Sequence, residues 1–408
     1  MSNQISTLRM EQKFKKTPAG EIPVDWEVVK LGDKISLEYG EGLIESKRKY
    51  GKYPVYGSNG IIGYHDNFLI KGPGIVVGRK GTIGAVSWSN IDFWPIDTTY
   101  YIKLFDNDLN LRWLYYKLKS LNLSKLNMAT GTPGLNRDIA CSQIIPLPPP
   151  IEQKKIADIL SAVDDAIDKT GAVIEKTKEL KKGLMQILFT KGIQKGRLKT
   201  QDFKETEIGR IPKDWKILPA YQVCKKVTDG THDTPKPATT GYYLVTSKNI
   251  KNGGIDFSDA YLINNSDFYE VNKRSKVDSY DVLFSMIGTV GQTTVVTEDY
   301  PQFAIKNVGL FKTNKNKWIA LWLYYYFCSK FAQSYIKSNV KGTSQKYLPL
   351  NSLRNIPIIV PPPSEQKNIV EVLSTVDIEM ANEEKHKHQL EEIKTALMQV
   401  LLTGKVRV

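Results

Sequence analysis

Residues 146–160, PLPPPIEQKKIADIL, and residues 359–373, IVPPPSEQKNIVEVL, each place a proline triplet at the start of a long helical pattern. The two patterns end in similar segments, GLMQILFTKG at 183–192 and ALMQVLLTGK at 396–405. Their first prolines and their methionines are both 213 positions apart, so the stretches match without a gap. This is a tandem duplication, which predicts a molecule with two similar ends. Two similar ends are expected where the partner is itself repeated, as duplex DNA and paired subunits are.

The duplicated segments are predicted to be two long helices, from Ile151 to Thr190 and from about Ser364 to Thr403. Each would be about 60 Å long at 1.5 Å per residue, more than a globular core requires. Apolar residues recur at heptad spacing, which favours an antiparallel coiled coil over a merely core-facing stripe. The predicted helix contacts are Ile156, Ile159, Leu160, Val163, Ile167, Ile174, Leu184, Ile369, Val372, Leu373, Val376, Leu390 and Leu397.

The segments that precede the helices are less alike. The motif IPVDW at 22–26 returns as IPKDW at 211–215, an offset of only 189 positions. The offset rises to 207 at the glycine-rich turns GTIG (81–84) and GTVG (288–291). Length differences therefore lie mainly between the DW motif and the turn. This predicts two variable globular regions on a repeated framework.

Both globular regions are predicted to have a mixed α+β fold. In each, short apolar strands flank the glycine-rich turn, and an aromatic-rich helix follows, at Leu111–Leu121 and at Trp318–Ile336. The expected architecture is two globular domains joined by two long antiparallel helices, with a pseudo-twofold internal repeat. The predicted segments are a first globular domain at 1–150, a helix at 151–192, a second globular domain with its linker at 193–363, and a helix at 364–408.

The composition favours a polyanionic partner. The chain has 57 Lys and Arg against 43 Asp and Glu, a formal net charge of +14, and Lys and Arg neutralise phosphates. A generally lysine-rich composition is the alternative explanation. Three scattered cysteines predict neither disulfides nor a zinc site. No apolar run resembles a leader or a membrane span, so we expect a soluble, cytoplasmic protein without a membrane partner.

Common signatures of catalysis are missing from the sequence. There is no GxxxxGK[ST] motif, and the glycine-rich stretch 78–84 is expected in a hairpin, not at the strand-to-helix turn of a dinucleotide site. No [DN]PP[YF] tetrapeptide of the amino-methyltransferase type occurs. The nuclease-like ExK spacings at Glu45-Ser46-Lys47 and Glu152-Gln153-Lys154 are short enough to arise by chance. We therefore predict no catalytic residue, no metal and no cofactor bound by this chain.

Polar side chains in and near the glycine-rich turns are the candidates for contact with DNA. Such turns let backbone N–H groups and short side chains approach phosphates and base edges, and Arg79 suits a bidentate contact with guanine. An ordinary solvated loop is the alternative in each case. The candidates are Tyr56, Ser58, Asn59, Arg79, Lys80, Thr82, Thr132 and Arg137 in the first region, and Thr231, His232, Lys236, Ser285, Thr289, Thr343 and Lys346 in the second.

The order and spacing of these features over nearly the whole chain resemble the specificity subunit of a type I restriction-modification system. The resemblance rests on the IPxDW motifs, the GT loops, and helices that begin in PPP-x-EQK and close in LMQIL or LMQVL. It implies that each globular region is a target-recognition domain that reads one half of a bipartite, asymmetric sequence in double-stranded DNA. It also implies that the helices pair, set the half-site spacing and dock two methyltransferase subunits.

The resemblance also implies where the chemistry of the system resides. Methyl transfer from S-adenosylmethionine belongs to the methyltransferase partner, and restriction subunits that use ATP and Mg join through that complex. Two other classes of function are kept as alternatives. One is a self-contained nuclease or methyltransferase with an unrecognised active site, and the other is a scaffold with no role in DNA binding.

Overall fold

The chain forms two compact units in the computed structural model, which describes residues 13–105, 108–126, 134–194 and 196–408. The first unit comprises Met1–Ala172 and Glu384–Val408, and the second comprises Val173–Glu383. Each unit therefore contains one globular region, part of one long helix and part of the other. The units do not follow the linear segments predicted above, because each globular region packs on portions of both helices. Among the helices that the structure describes, none has the length and apolar character needed to cross a membrane.

The first unit alternates short strands with few helices. Its helices are α1 Leu111–Ser120, α2 Arg137–Cys141 and the beginning of α3 Pro150–Lys191. Its strands are β1 Phe14–Thr17, β2 Gly20–Pro23, β3 Glu27–Lys30, β4 Ile35–Tyr39, β5 Tyr53–Gly57, β6 Gly60–His65, β7 Gly74–Gly78, β8 Val86–Ser89, β9 Trp94–Pro95, β10 Thr99–Leu104 and β11 Ile144–Leu147.

The second unit has the same mixed character and more helices. These are α4 Ala220–Val223, α5 Asn265–Ser275, α6 Lys317–Cys328, α7 Lys330–Asn339, α8 Leu350–Arg354 and the beginning of α9 Pro363–Leu401. Its strands are β12 Ile193–Gln194, β13 Arg197–Leu198, β14 Phe203–Lys204, β15 Ile211–Pro212, β16 Lys216–Pro219, β17 Lys226–Asp229, β18 Tyr242–Thr246, β19 Ile250–Lys251, β20 Gly254–Ile255, β21 Tyr261–Ile263, β22 Val282–Ser285, β23 Thr293–Val295, β24 Phe303–Lys306, β25 Val308–Lys312 and β26 Pro357–Val360.

The main sheets have the same strand order in the two units. The first has a four-stranded antiparallel sheet in the order β4-β10-β7-β8, and the second has one in the order β17-β25-β22-β23. Each unit also has a parallel pair, β5 with β9 and β18 with β24. In each, the strand before the proline triplet pairs with the strand after the DW motif, β11 with β3 and β26 with β16. The mixed α+β class predicted from the sequence is confirmed.

The long helices begin and end within two residues of the helical patterns at Ile151–Thr190 and about Ser364–Thr403, and α9 ends seven residues before the end of the predicted segment 364–408. α3 has 42 residues and α9 has 39. Both begin at the last proline of their triplet, a residue that suits the first helical position because its missing N–H needs no partner there. Gly192 follows α3 with φ 67°, and Gly404 lies shortly after α9 with φ 71°. Glycine tolerates this left-handed conformation, which ends a helix.

One predicted helix is wrong. The sequence from Trp318 to Ile336 was expected to be continuous, but Ser329 separates α6 from α7. Its backbone is extended, and its side chain accepts a hydrogen bond from the N–H of Ala332. Serine at a helix start satisfies a free N–H group in this way, which offsets the interruption of the backbone ladder.

The aromatic-rich helices α1 and α6 form the centre of each core. Trp113 and Tyr116 of α1 are fully buried, and they share a cluster with Ile156 and Leu160 of α3 and with Leu401 of α9. In the second unit, buried residues of α6 pack in the same way with the end of α3 and the beginning of α9. Each globular region is thus fixed to the long helices through apolar contacts.

A buried glutamate near the start of α3 joins three separate parts of the first unit. Trp26, which is fully buried, donates from Nε1 to Oε2 of Glu152 at 2.9 Å. Arg407 donates from Nε to Oε1 of the same carboxylate at 2.6 Å and also pairs with Asp25. The hydrogen bond from Arg407 lowers the pKa of Asp25. The DW motif, the EQK motif and the residues after α9 therefore meet at one carboxylate.

The second unit repeats this network with a different cation. Trp215 donates from Nε1 to Oε2 of Glu365 at 3.0 Å. Lys199, which follows α3, donates to Glu365 and to Asp214 at 2.8 Å. Paired contacts of this kind satisfy a carboxylate that would be costly to bury alone. The DW and EQK motifs, which both recur in the sequence, therefore supply the donor and the acceptor of one buried hydrogen bond in each unit.

Among the described residues, no carboxylate pairs with the buried Lys117 of α1. Its side chain is buried, and its ammonium makes one long hydrogen bond, 3.4 Å, to the carbonyl oxygen of Leu402. Burial lowers the pKa of Lys117 from 10.5 to about 8. The unfolded chain therefore binds more protons than the folded chain between these values, and stability rises with pH across that window.

We predict that Lys117→Met stabilises the protein at pH 7, because the folded state no longer buries an ammonium. The gain is at most about 3 kcal/mol in the free energy of unfolding. It should shrink as the pH rises through 8 and vanish above about 10.5, where lysine is neutral in both states. Chemical denaturation at several pH values measures it, with the exposed Lys119→Met as control. A gain that stayed constant up to pH 11 would show that the buried charge is not the cause.

Candidate nucleic-acid interface

In the first unit, the glycine-rich turn lies against a loop more than 50 residues later in the sequence. The turn joins β7 to β8 as an antiparallel hairpin. Lys80 forms an isolated antiparallel bridge with Gly134, and the N–H of Leu135 donates to the carbonyl oxygen of Arg79 at 2.9 Å. The predicted candidate Thr132 belongs to this loop but lies outside the described residues. The turn and the described part of the loop thus form one surface.

The tip of the β5–β6 hairpin extends the same surface. A Cβ atom on Gly78 would lie 2.2 Å from the carbonyl oxygen of Thr82 and 2.7 Å from that of Ser58. Glycine is required at position 78 because the turn and the tip approach so closely. Ser58 is half-buried there, and Asn59 and Thr82 are exposed.

An exposed tyrosine between two arginines forms the basic part of this surface. The guanidinium carbon of Arg79 lies 5.1 Å from the ring centroid of Tyr39, and that of Arg137 lies 5.8 Å from it. Tyr39 is 52% exposed. Cation–π contacts hold the two guanidinium groups together despite their like charge. Tyr39 was missed in the sequence because it ends a strand about 40 residues before the glycine-rich turn at 81–84.

The geometry of Arg79 differs from the expected guanine contact. Its Nε and Nη2 atoms both donate to the carbonyl oxygen of Asp97, at 3.2 and 2.7 Å. This edge of the guanidinium is therefore engaged within the protein. The rest of the group remains suited to a phosphate or to a single base acceptor.

Two predicted DNA contacts are wrong because their side chains are buried. Tyr56 is 4% exposed, and its hydroxyl donates to the carbonyl oxygen of Trp88 at 2.9 Å; burial raises its pKa. Ser285 is fully buried, and its hydroxyl accepts from the N–H of Gln292 and donates to the carbonyl oxygen of Thr289. The hydroxyl of Tyr56 thus links its hairpin to β8, and that of Ser285 serves the internal structure of its own hairpin.

The second unit has an equivalent surface built from the turn between β22 and β23 and the loop at 342–347. The N–H of Gly288 donates to the carbonyl oxygen of Lys346 at 2.9 Å, and the N–H of Leu348 donates to that of Met286 at 2.8 Å. The predicted candidates Thr289, Thr343 and Lys346 are exposed. Met286 therefore occupies the backbone position that Arg79 has in the first unit.

A second loop in this unit, residues 229–236, is held by a buried carboxylate. Asp229 is 2% exposed and pairs with Arg274 through one oxygen and with His232 Nε2 through the other, at 3.1 Å. The other ring nitrogen of His232 lies 2.8 Å from Oδ1 of Asn307. Both nitrogens of His232 are therefore engaged within the protein, which leaves the exposed ring face for other contacts.

The loop and the turn of the second unit are linked through one buried hydroxyl. Ser247 donates to the carbonyl oxygen of Asn307 at 2.7 Å and accepts from the N–H of Met286 at 3.1 Å. Asn307 in turn donates from its backbone N–H to the carbonyl oxygen of Thr231. Thr231 is half-buried, whereas Lys236 is exposed. Among the described residues, no cluster of three or more His, Cys, Asp or Glu side chains could hold a metal ion.

The predicted contact residues of the long helices differ in burial. All of them are buried or half-buried except Val372, which is 37% exposed. Buried positions are Ile156, Leu160, Ile174, Ile369 and Leu373. Half-buried positions are Ile159, Val163, Ile167, Leu184, Val376, Leu390 and Leu397. The described helices also carry exposed apolar side chains that face away from these contacts, at Val173, Leu180, Ile187, Ile378 and Ile393.

Comparison with known proteins identifies the family. A family described as "Type I restriction modification DNA specificity domain" matches residues 23–179 and 212–392. The MjaVIII specificity subunit of a type I restriction enzyme from Methanocaldococcus jannaschii is 29% identical over 98% of this chain and 97% of its own. The EcoBI specificity subunit of Escherichia coli is 24% identical over 72% of this chain and 65% of its own.

Solved structures are similar in fold. The S subunit of a type I restriction-modification system from M. genitalium superposes with a TM-score of 0.62, at 17% identity, over 96% of this chain and 99% of that chain. A chain from work on complex assembly and conformational transition of the type I R-M system gives a TM-score of 0.52 at 15% identity, over 94% of this chain and 99% of that chain.

The chain belongs to the family of type I restriction-modification DNA specificity domains, because both family matches together span most of its length. It is a specificity subunit, the non-catalytic DNA-recognition component of such a system. Each matched range contains most of one globular region and most of the long helix that follows it.

We predict that Asp229→Asn loosens the loop at 229–236, because Arg274 and His232 lose the charge that holds them. Amide hydrogen exchange in this loop should become about tenfold faster, as expected for the loss of charged hydrogen bonds worth about 1.5 kcal/mol. Exchange in β22 and β25 should stay unchanged. The matched control is Asp233→Asn, an exposed aspartate of the same loop. Equal exchange in both variants would contradict the role of Asp229.

Proposed function

We propose that the turn-and-loop surface of each unit reads one half of a bipartite, asymmetric target in double-stranded DNA. The observation that carries this proposal is that equivalent backbone positions present different side chains. The backbone carbonyl oxygens of Arg79 in the first unit and Met286 in the second each accept a hydrogen bond from the N–H of a buried leucine, Leu135 or Leu348. The side chain of Arg79 is half-buried and reaches the surface, whereas that of Met286 is buried. The scaffold is shared and the contacting chemistry is not, so two different base sequences are read.

The long helices set the distance between the half-sites by pairing antiparallel. Within the first unit, Asp164 contacts Lys394, and a Cβ atom on Gly171 would lie 3.7 Å from Lys387 Nζ. Residue numbers therefore rise along α3 as they fall along α9. A stiff helix pair of this kind fixes half-site spacing as a protein dimer does.

The exposed apolar side chains of α3 form the docking face for partner subunits. Val173, Leu180 and Ile187 follow one another at heptad spacing, and they are 46%, 56% and 39% exposed. Exposed apolar rows of this kind mark interaction sites. Two methyltransferase subunits dock on the two helices, and restriction subunits join through them. S-adenosylmethionine belongs to the methyltransferase, and ATP and Mg belong to the restriction subunits.

Reconstitution with a methyltransferase partner tests this function. We expect the complex to methylate one asymmetric bipartite sequence, which sequencing of modified bases would identify. Binding should weaken steeply with salt, because phosphate neutralisation releases counterions. The chain alone should neither transfer methyl groups from labelled S-adenosylmethionine nor cut plasmid in the presence of Mg. Robust turnover without partners would favour a self-contained enzyme, and salt-independent binding without sequence preference would favour a scaffold.

Exchange of one globular region tests whether the halves are read independently. Replacement of residues 27–140 by the corresponding region of another specificity subunit should change one half of the methylated sequence and leave the other half and the spacer intact. The matched exchange of residues 216–355 should change only the other half. Loss of both halves in either chimera, with the protein still folded, would contradict independent reading.

A further inference from the structure

Besides the buried glutamates, each unit contains a second polar joint between its globular region and the long helices. In the first unit, the hydroxyl of Tyr116 on α1 donates to Oδ2 of Asp164 on α3 at 2.7 Å. Lys394 on α9 pairs with Oδ1 of the same carboxylate, and its ammonium lies 5.8 Å from the Tyr116 ring centroid. One carboxylate thus connects three elements.

The second unit has the same joint with the roles of the long helices exchanged. Tyr325 on α6 donates to Oδ2 of Asp377 on α9 at 2.8 Å. Lys181 on α3 lies 2.6 Å from Oδ1 of Asp377 and 5.4 Å from the Tyr325 ring centroid. The two aspartates are 213 positions apart, and so are the two lysines. The joint is therefore part of the duplicated framework.

Each joint is partly buried, so its carboxylate depends on the partners that it has in the protein. The side chains of Asp164 and Lys394 are 18% and 17% exposed. Burial, followed in the second unit by the nearby carboxylate, raises the pKa of Tyr116 and Tyr325, so each phenol keeps the proton that it donates. A carboxylate at this depth needs its partners, because it is only partly solvated.

The joint in the second unit also selects the alignment of the two helices. A slip of one helix by seven residues in either direction would place Ile174 or Leu188 opposite Asp377 in place of Lys181. Both are apolar, so the carboxylate would lose its cation in either slipped arrangement. A single buried polar contact can fix helix register in this way.

We propose that Asp164 and Asp377 are positioning residues that hold each recognition region in one orientation on the helix pair, and so restrict the complex to one spacer length. The proposal rests on the function proposed above. It predicts unequal effects, because Ser161 on α3 also accepts from Arg112 Nε at 3.0 Å and lies 3.3 Å from the Tyr116 hydroxyl, and these contacts remain when Asp164 is replaced. The position on α6 that corresponds to Arg112 is Leu321, so the joint at Asp377 has fewer contacts.

The test uses the complex with the methyltransferase. It compares the methylation of duplexes that carry the natural spacer with the methylation of duplexes whose spacer is one base pair longer or shorter. For Asp377→Asn we expect the preference for the natural spacer to fall about tenfold, the effect of losing one charged hydrogen bond. The half-site bases should stay the same. The preference for the natural spacer should fall less in Asp164→Asn than in Asp377→Asn. Tyr325→Phe keeps the ion pair, so its preference should lie between those of the wild type and Asp377→Asn.

The matched control is Glu379→Gln, which removes one negative charge from an exposed position two residues further along α9 and should leave the spacer preference unchanged. A folded Asp377→Asn that is uniformly slower on every spacer would overturn the proposal, since the aspartate would then serve only stability. If that variant does not fold, an unchanged preference in Tyr325→Phe would overturn it. Absence of sequence-specific methylation by the wild-type complex would instead reject the proposed function, and the inference with it.

Discussion

The fold depends on a buried carboxylate near the start of each long helix. Glu152 accepts hydrogen bonds from the indole of Trp26 and from Arg407, and Glu365 accepts them from the indole of Trp215 and from Lys199. Each carboxylate is almost inaccessible to water, so its partners cannot be removed without exposing an unpaired charge to an apolar core. Because those partners come from distant parts of the sequence, one interaction holds the recognition region, one helix start and the segment after the other helix together.

This constraint explains which parts of the duplication are retained and which have diverged. A residue of the framework is constrained by contacts with several elements at once, whereas a residue at the tip of a turn makes few such contacts. Met286 can stand where the other unit has Arg79 because the hydrogen bond at this position uses only the backbone carbonyl. The same sheet order therefore carries different side chains in the two units.

The secondary-structure elements could be predicted well from the sequence, but the contacts between them could not. Heptad spacing and proline triplets located both long helices, because these signals act within a few turns of the chain. The contact of Lys80 with Gly134 was not predictable, since only the folded sheet brings the two together. Tyr56 and Ser285 were misjudged because a polar group near a glycine can face either the solvent or the interior of the fold. Ser329 interrupts a helix that its aromatic neighbours favour.

A bipartite site demands orientation as well as distance, and this is where the joints at Asp164 and Asp377 matter. Adding one base pair moves a half-site by about 3.4 Å and also turns it by about 35° around the duplex, since one turn holds about 10 base pairs. A recognition region that could rock on its helices would absorb both changes at little energetic cost. Apolar packing alone resists such rocking weakly, because it is not directional. Hydrogen bonds and ion pairs that converge on one carboxylate are directional, which is why the proposed restriction to one spacer length is assigned to these joints.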